Sequence, residues 1–146
     1  MVSIKTQKLN NKAIVPVRGS NGAAGYDLHA NIAEDYIEIN PHETVKIPTG
    51  LSMEIPEGYF GAIVARSGLA TREGLRPCQG MAVIDQDYRG EIIVPLHNDH
   101  DNVRYITPDE RIAQLVIIPY LEVSFDEVDK LNATKRGDGG FGSTGK

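Results

Sequence analysis

The sequence predicts an all-β fold, a jelly-roll-like barrel or sandwich of short antiparallel strands. Apolar and polar residues alternate in short runs, Gly, Pro, Asn and Asp bound those runs, and no stretch carries a long helical period. The 15 glycines and 8 prolines supply the turns that closely spaced strands need, whereas a βαβ fold would require longer helices. A length of 146 residues suits one domain with a single core.

The clearest strand pattern lies between residues 37 and 64. Residues 51–55 alternate between apolar and polar side chains, the breaker Pro56-Glu57-Gly58 follows, and residues 59–64 continue as a returning strand. Short runs rich in β-branched or other apolar residues predict further strands at 81–84, 91–94 and 114–118.

Residues 67–72 are the best candidate for a helix. Ser67 could cap its first turn, Leu69 and Ala70 permit helical backbone, and Gly74 stands where a helix would end. The pattern allows one or two turns at most.

The composition changes after residue 130. Residues 131–146 contain one aromatic, Phe141, among Gly, Ser, Thr, Lys and Arg. We therefore expect a β-barrel domain over residues 1–130 and a flexible C-terminal arm over residues 131–146.

Charge and cysteine content narrow the class of protein. A formal net charge of −5 argues against nucleic acid as the main partner, because its phosphate backbone favours broad basic surfaces. The first 15 residues contain no apolar block typical of a signal peptide or membrane span, so we expect no membrane association and a cytoplasmic location. The single cysteine, Cys78, excludes an internal disulfide framework and a thiolate-rich zinc site, and the four histidines form no recognisable metal set.

Three segments carry groups that could perform chemistry. Arg66-Ser67-Gly68 precedes the short helix and could bind a phosphate through backbone N–H groups, a hydroxyl and a guanidinium, although an ordinary helix cap would have the same sequence. Asp85 follows the apolar run 81–84 and could orient a water for attack, although Asp85 and Asp87 could equally be turn formers ahead of Gly90. The glycine-rich run 136–145 could fold over an anionic group or be a disordered tail, and it lacks the order of a Walker loop.

Five segments, taken in order, resemble the five motifs of the trimeric dUTP pyrophosphatase (dUTPase) family. They are AGYDLHA at 24–30, ARSGLA at 65–70, AVIDQDYRGEI at 82–92, ERIAQLVI at 110–117 and RGDGGFGSTG at 136–145. The resemblance spans nearly the whole chain.

The resemblance implies a homotrimer with active sites at subunit interfaces and an arm that closes over a site on another subunit. It implies hydrolysis of dUTP to dUMP and pyrophosphate with Mg²⁺, which the triphosphate oxygens would hold. By similarity, Asp85 activates the water that attacks the α-phosphorus, and Tyr88 packs against deoxyribose and excludes a ribose 2′-hydroxyl.

The remaining site residues follow from the same resemblance. Arg66, Ser67, Gly68 and Gln114 match positions that hold phosphates, Arg111 matches a structural or phosphate-side arginine, and Asp27 matches a residue that meets magnesium through water. Residues 79–84 match the hairpin that reads uracil, with Gln79, Val83 and Ile84 as its binding residues. In the arm, Phe141 would stack on uracil, and the other substrate-binding residues are Arg136, Gly142, Ser143 and Thr144.

The sequence departs from the family pattern at three positions. Ala65 replaces a proline, Gln79 replaces a common asparagine and Ala82 replaces a common glycine, the last two within the uracil-reading segment.

Two alternative functions are open at this point. A dCTP deaminase shares the fold that the resemblance implies, but residues 92–98 lack the glutamate that such relatives carry there and contain Pro95. A non-catalytic, dUTPase-like regulatory binding protein is the other alternative, against which Asp85, Tyr88 and the arm motif argue.

Overall fold

The structure, a computed structural model, describes residues 3–140, and the regular secondary structure of these residues consists of β-strands and one short helix. The all-β prediction is confirmed. The strands are β1 Lys5–Lys8, β2 Val17–Arg18, β3 Tyr26–His29, β4 Ile37–Ile39, β5 Thr44–Pro48, β6 Leu51–Glu54, β7 Tyr59–Val64, β8 Leu75–Pro77, β9 Met81–Ile84, β10 Ile93–Asn98, β11 Arg104–Ile106 and β12 Arg111–Pro119, and the helix α1 is Ser67–Glu73.

The strands form one large antiparallel sheet and three smaller ones. The large sheet has the order β2-β3-β12-β7-β9, a second sheet has the order β5-β10-β8, and β1-β6 and β11-β4 are two-stranded. Aliphatic side chains from several of these sheets form one core, which includes Leu28, Ile47, Ile63, Leu96 and Ile112. Burial of this apolar surface is the main stabilising contribution that holds the sheets together.

Most predicted strands lie where the alternation of residues placed them. β6, β7 and β9 match their predicted ranges within one residue, whereas β12 extends in both directions beyond the predicted residues 114–118. The strand predicted at 91–94 begins at Ile93 and continues to Asn98. His97 is therefore in a strand, where its backbone pairs with Thr44 and Arg76.

The predicted helix is present and begins at Ser67 as predicted, but the N-cap role considered for Ser67 was wrong. Arg66, not Ser67, is the N-cap, with extended backbone at φ −82° and ψ 130° and no side-chain cap hydrogen bond. Ser67 is already helical, which leaves its exposed hydroxyl free of the capping role. Gly74 ends the helix as predicted, in the left-handed conformation at φ 64°, which favours glycine.

The chain after β12 leaves the core. Residues 120–138 are all exposed and contain neither helix nor strand, and Leu121, Phe125 and Leu131 are 86%, 93% and 82% exposed. The boundary at residue 130 stays a prediction. Within the described part of the chain, no helix has the length and apolar character needed to cross a membrane.

Candidate active site

A β-bulge in β12 determines which side chains share the first candidate cleft. Gln114 pairs with Asp27 and Arg111 pairs with His29, with a register shift between Arg111 and Ala113. Residues three apart on a regular strand point to opposite faces of the sheet. The bulge therefore brings Arg111 onto the face of Gln114 and Asp27.

Asp27 holds two arginines from distant parts of the sequence. Its Oδ1 accepts a hydrogen bond from Arg66 Nε at 2.9 Å, and its Oδ2 lies 3.4 Å from Arg111 Nη1. Arg66 Nη1 also donates to the backbone oxygen of Arg111 at 3.3 Å. The Asp27 side chain is only 14% exposed, so this charge is strongly shielded from water and its partners are fixed in direction.

Gln114 is positioned from two sides. Its Nε2 donates to the backbone oxygen of Ala65 at 2.9 Å, which ties β12 to the segment between β7 and α1. A Cβ atom placed on Gly25 would collide with Gln114 Oε1. The space at Gly25 therefore allows the amide of Gln114 to lie against the end of β3.

These residues line a cleft of about 630 Å³, which we call the arginine cleft. Ser67 and Gly68 contribute to it because β7 leads directly into α1 at that place. Its lining includes Gly25, Asp27, Arg66, Ser67, Gly68, Arg72, Arg111 and Gln114.

His29 lies on the same strand as Asp27. Burial lowers the pKa of His29, and the nearby Asp27 carboxylate opposes that shift by favouring the charged imidazolium. Its Nδ1 is buried and has no hydrogen-bond partner among residues 3–140. Both observations favour a neutral imidazole beside the arginine cleft.

Asp85 lies in a different cleft, of about 510 Å³, which we call the Asp85 cleft. As predicted, Asp85 follows directly on a strand, β9, and its backbone oxygen accepts a hydrogen bond from Tyr88 N at 3.2 Å. The turn-forming role considered for Asp85 is thus present, and it leaves the exposed carboxylate free to act on a ligand. The cleft is lined by Phe60, Val83, Asp85, Gln86, Asp87 and Tyr120.

Tyr88 is held close to Asp85 by the loop between β9 and β10. Its hydroxyl donates to the backbone oxygen of Glu91 at 2.9 Å, and its ring lies against Gly90, where an added Cβ would collide with the phenol oxygen. Ser52 Oγ donates to the backbone oxygen of Arg89 at 2.7 Å, which fastens the loop to β6. One face of Tyr88 therefore stays exposed in a fixed orientation.

Residues 79–84 do not form the expected two-stranded hairpin. β9 pairs with β7, whereas the preceding strand β8 pairs with β10 in another sheet. A turn at Gly80, with φ 72°, separates the two strands. Residues 79–84 contain one strand, β9, and its partner β7 lies outside the segment. The segment is therefore a turn followed by an edge strand.

The two clefts lie at opposite ends of β7. Ile84 pairs with Gly61, so Asp85 lies near Phe60, whereas Arg66 follows the other end of that strand. Six residues of extended chain from Phe60 to Arg66 correspond to about 20 Å. One chain therefore keeps Asp85 well away from the arginine cleft.

The structure thus divides the predicted site residues into two groups. It brings together Asp27, Arg66, Ser67, Gly68, Arg111 and Gln114, and it places Val83, Asp85 and Tyr88 at or near the other cleft. Gln79 is exposed and Ile84 is half-buried. Arg136 lies in an exposed turn and donates to the backbone oxygen of Gly139 at 2.7 Å, and Phe141, Gly142, Ser143 and Thr144 lie outside the described residues.

Sequence reasoning did not select Gly25 or Arg72 as site residues. Gly25 stands two residues before Asp27 within the first motif, which is a local signal of close backbone approach. Arg72 shares a helix with Gly68 at a spacing of four residues, which places the two on one helical face.

The fold and the arginine cleft define an all-β protein with a preorganised site suited to an anionic ligand. The dUTPase family model matches residues 11–145. Relatives named deoxyuridine 5′-triphosphate nucleotidohydrolase include one from Hydrogenobaculum sp. (strain Y04AAS1), 44% identical with 99% of both chains covered. Another, from Nautilia profundicola, is 46% identical with 99% of this chain and 100% of the relative covered.

A solved structure of Staphylococcus bacteriophage 80alpha dUTPase with dUPNHPP superposes with a TM-score of 0.89 at 29% identity, and 100% of each chain is covered. The chain belongs to the dUTPase family.

Proposed function

We propose that this chain hydrolyses dUTP to dUMP and pyrophosphate in a homotrimer whose active sites combine residues of different copies. The observation that carries this proposal is the position of Asp85 and Arg66 at opposite ends of β7, which corresponds to about 20 Å of extended strand. A general base acts within hydrogen-bond reach of the reacting group or through one water. A nucleotide with its phosphates in the arginine cleft therefore needs Asp85 from a second copy.

The chain after Pro119 supports assembly. Leu121, Val123 and Phe125 occupy alternate positions and are 86%, 62% and 93% exposed. Such an apolar series is unfavourable in water and fits an extended segment that lies against another copy. The resemblance of the motifs to the trimeric dUTPase family implies a closed three-fold assembly. Such an assembly would give every copy the same set of contacts.

Asp85 is the proposed general base. Its carboxylate accepts a proton from water, the water oxygen attacks the α-phosphorus, and the bond to the pyrophosphate leaving group breaks. Proton transfer to a positioned carboxylate contributes about 10²- to 10⁴-fold to the rate. The short loop that fixes Tyr88 also fixes the base, which limits the reorganisation needed during reaction.

The arginine cleft is the proposed phosphate site. Arg66 and the backbone N–H groups near Ser67 and Gly68 would bind phosphate oxygens, with Gln114 and Arg111 beside them. Asp27 orients both guanidiniums before substrate arrives, so little ordering is needed on binding. This local positive site lets a chain of net charge −5 bind a polyanion.

A magnesium ion would enter this cleft bound to the phosphates of the substrate. Within residues 3–140 no group of three or more His, Cys, Asp or Glu side chains could hold a metal ion. Asp27 is the carboxylate at the centre of the cleft, and both of its oxygens already face arginines. Asp27 would thus meet the ion through water, and the bound ion would neutralise phosphate charge.

The edge strand β9 and Tyr88 would recognise the nucleoside. The backbone around Gln79, Val83 and Ile84 would read uracil, and the exposed face of Tyr88 would pack on deoxyribose and leave no room for a 2′-hydroxyl. The arm would then cover the site: Arg136, Gly142, Ser143 and Thr144 would bind the substrate, and Phe141 would stack on the base.

A nucleotide panel tests the proposal. The purified protein is incubated with dUTP, dCTP, dTTP and UTP, with and without Mg²⁺, and pyrophosphate is quantified. We expect a kcat/KM for dUTP above that for dCTP by up to about 10⁴-fold, because a mismatched base leaves buried polar groups unpaired. Ammonia release from dCTP would instead identify a deaminase, and tight nucleotide binding without turnover would identify a regulatory protein.

A further inference from the structure

Arg72 is an arginine of the arginine cleft to which the proposed function gives no role. It lies in the last turn of α1 and lines the cleft together with Arg66 and Arg111. Those two arginines are engaged by Asp27. Arg72 forms no ion pair within residues 3–140.

The acidic neighbours of Arg72 in the cleft are committed elsewhere. Glu73 pairs with Arg104 at 3.6 Å, and Glu110 accepts hydrogen bonds from the backbone N and the hydroxyl of Thr107 at 3.0 and 3.2 Å. No carboxylate of the cleft therefore neutralises Arg72 in the described part of the chain. Its charge is available to an incoming anion.

The guanidinium of Arg72 also points toward the place where the phosphates are expected. A Cβ atom on Gly68 would lie 2.9 Å from Arg72 Nη2. The side chain thus folds back along the helix by one turn, as long helical side chains do, and lies beside the junction of β7 and α1. Glycine at position 68 leaves the space that the guanidinium occupies.

We propose that Arg72 binds the terminal phosphate of the nucleotide and makes the site prefer a triphosphate to a diphosphate. This inference rests on the proposed function. A terminal phosphate group carries a charge of about −1.5 to −2 at neutral pH, more than a bridging phosphate. Arg72, the arginine of the cleft that has no carboxylate partner within residues 3–140, is the suitable partner for that group, and a guanidinium can bind two of its oxygens at once.

Calorimetric titration with three ligands tests the proposal. The wild-type protein, Arg72→Gln, Arg72→Lys and Lys46→Gln are each titrated with the imido analogue of dUTP, with dUDP and with dUMP. Lys46 is an exposed residue of β5 outside both clefts, so Lys46→Gln controls for the loss of one positive charge.

We expect Arg72→Gln to weaken binding of the triphosphate analogue by about 10- to 100-fold, since a hydrogen-bonded ion pair is lost. Binding of dUDP and dUMP should change by less than about threefold, Arg72→Lys should retain part of the affinity, and Lys46→Gln should match the wild type. Equal losses for all three ligands, or no loss for the analogue, overturn the proposal.

Failure of the proposed function gives a different result: the wild-type protein would then bind none of the three ligands, or it would bind the analogue but release no pyrophosphate from dUTP. A crystal structure of the wild-type protein with the analogue tests the inference without any substitution. We expect Arg72 nitrogens within about 3.2 Å of terminal phosphate oxygens. A guanidinium directed away from that phosphate overturns the assignment.

Discussion

Asp27 lies in β3 and Asp85 directly follows β9, yet the surroundings of the two carboxylates differ. Asp27 is 14% exposed and held by arginines 39 and 84 positions away in the sequence. Asp85 is exposed, and no ion pair within residues 3–140 uses it. One chain thus supplies both arginine partners of Asp27, whereas Asp85 has no ion-pair partner among residues 3–140.

The difference indicates two kinds of preorganisation. In the arginine cleft, ion pairs orient the groups that would bind phosphate before any ligand arrives. In the Asp85 cleft, the backbone of a short loop fixes the carboxylate, and under the proposed function its chemical partner is a nucleotide held by another copy. Substitutions in the first cleft should therefore affect folding and binding, whereas substitutions in the second should affect the chemical step.

Asp85→Asn should show the largest effect. We expect kcat for dUTP to fall by about 10²- to 10⁴-fold with KM largely unchanged, because the base is lost and the phosphate contacts remain. Steady-state pyrophosphate release measures both constants. The matched control is Asp87→Asn, which alters another exposed carboxylate of the same cleft and should retain near-normal turnover. Equal losses in the two variants would remove Asp85 as the specific base.

Deletion of residues 136–146 should have the next largest effect. The truncated protein should keep its assembly state and thermal midpoint but lose at least about 100-fold in kcat/KM, because the arm is proposed to exclude water and position phosphates. Light scattering, thermal melting and pyrophosphate release measure the three properties. Wild-type turnover in the folded, truncated protein would show that the arm has no catalytic role.

Asp27→Asn should reduce stability where Asp85→Asn does not. The first change removes the charge that holds Arg66 and Arg111 and should lower the free energy of unfolding by about 1–3 kcal/mol. The second alters an exposed side chain and should stay within about 0.5 kcal/mol of the wild type. Urea denaturation compares the two variants, and similar losses in both would contradict the contrast between the clefts.

The pH dependence of stability should show the smallest effect. Since the pKa of His29 is lowered in the folded protein, the unfolded chain takes up its proton more readily. The contribution of His29 to stability is complete above its unfolded pKa of about 6.5 and declines as the pH falls below that value. Urea denaturation between pH 8 and 5 should show a shallower decline for His29→Gln. Parallel pH profiles would show that burial of the imidazole has no energetic consequence.

Local features were predictable from the sequence because local patterns determine them. Alternation of side chains located β6, β7 and β9, and Gly74 correctly marked the end of α1. The N-cap was assigned to Ser67 because a capping serine and a first-turn serine are indistinguishable without backbone angles. The motif resemblance gathered the candidate residues, but which roles they perform stays a prediction.

Non-local features needed the structure. The bulge that turns Arg111 toward Asp27 depends on the register between β3 and β12, which are more than eighty residues apart in sequence. The separation of the two clefts depends likewise on the antiparallel pairing of β7 with β9. The expected hairpin at 79–84 was wrong for the same reason, since the partner of each strand lies outside the segment.

The length of β7 has a consequence for how the activity responds to dilution. A strand that holds the base and the phosphate site of each polypeptide far apart makes a solitary copy incapable of turnover under the proposed arrangement. Specific activity should then follow the law of mass action and decline once the protein concentration falls below the dissociation constant of the assembly. The concentration of this protein in a cell would therefore determine the activity per molecule as well as the number of molecules.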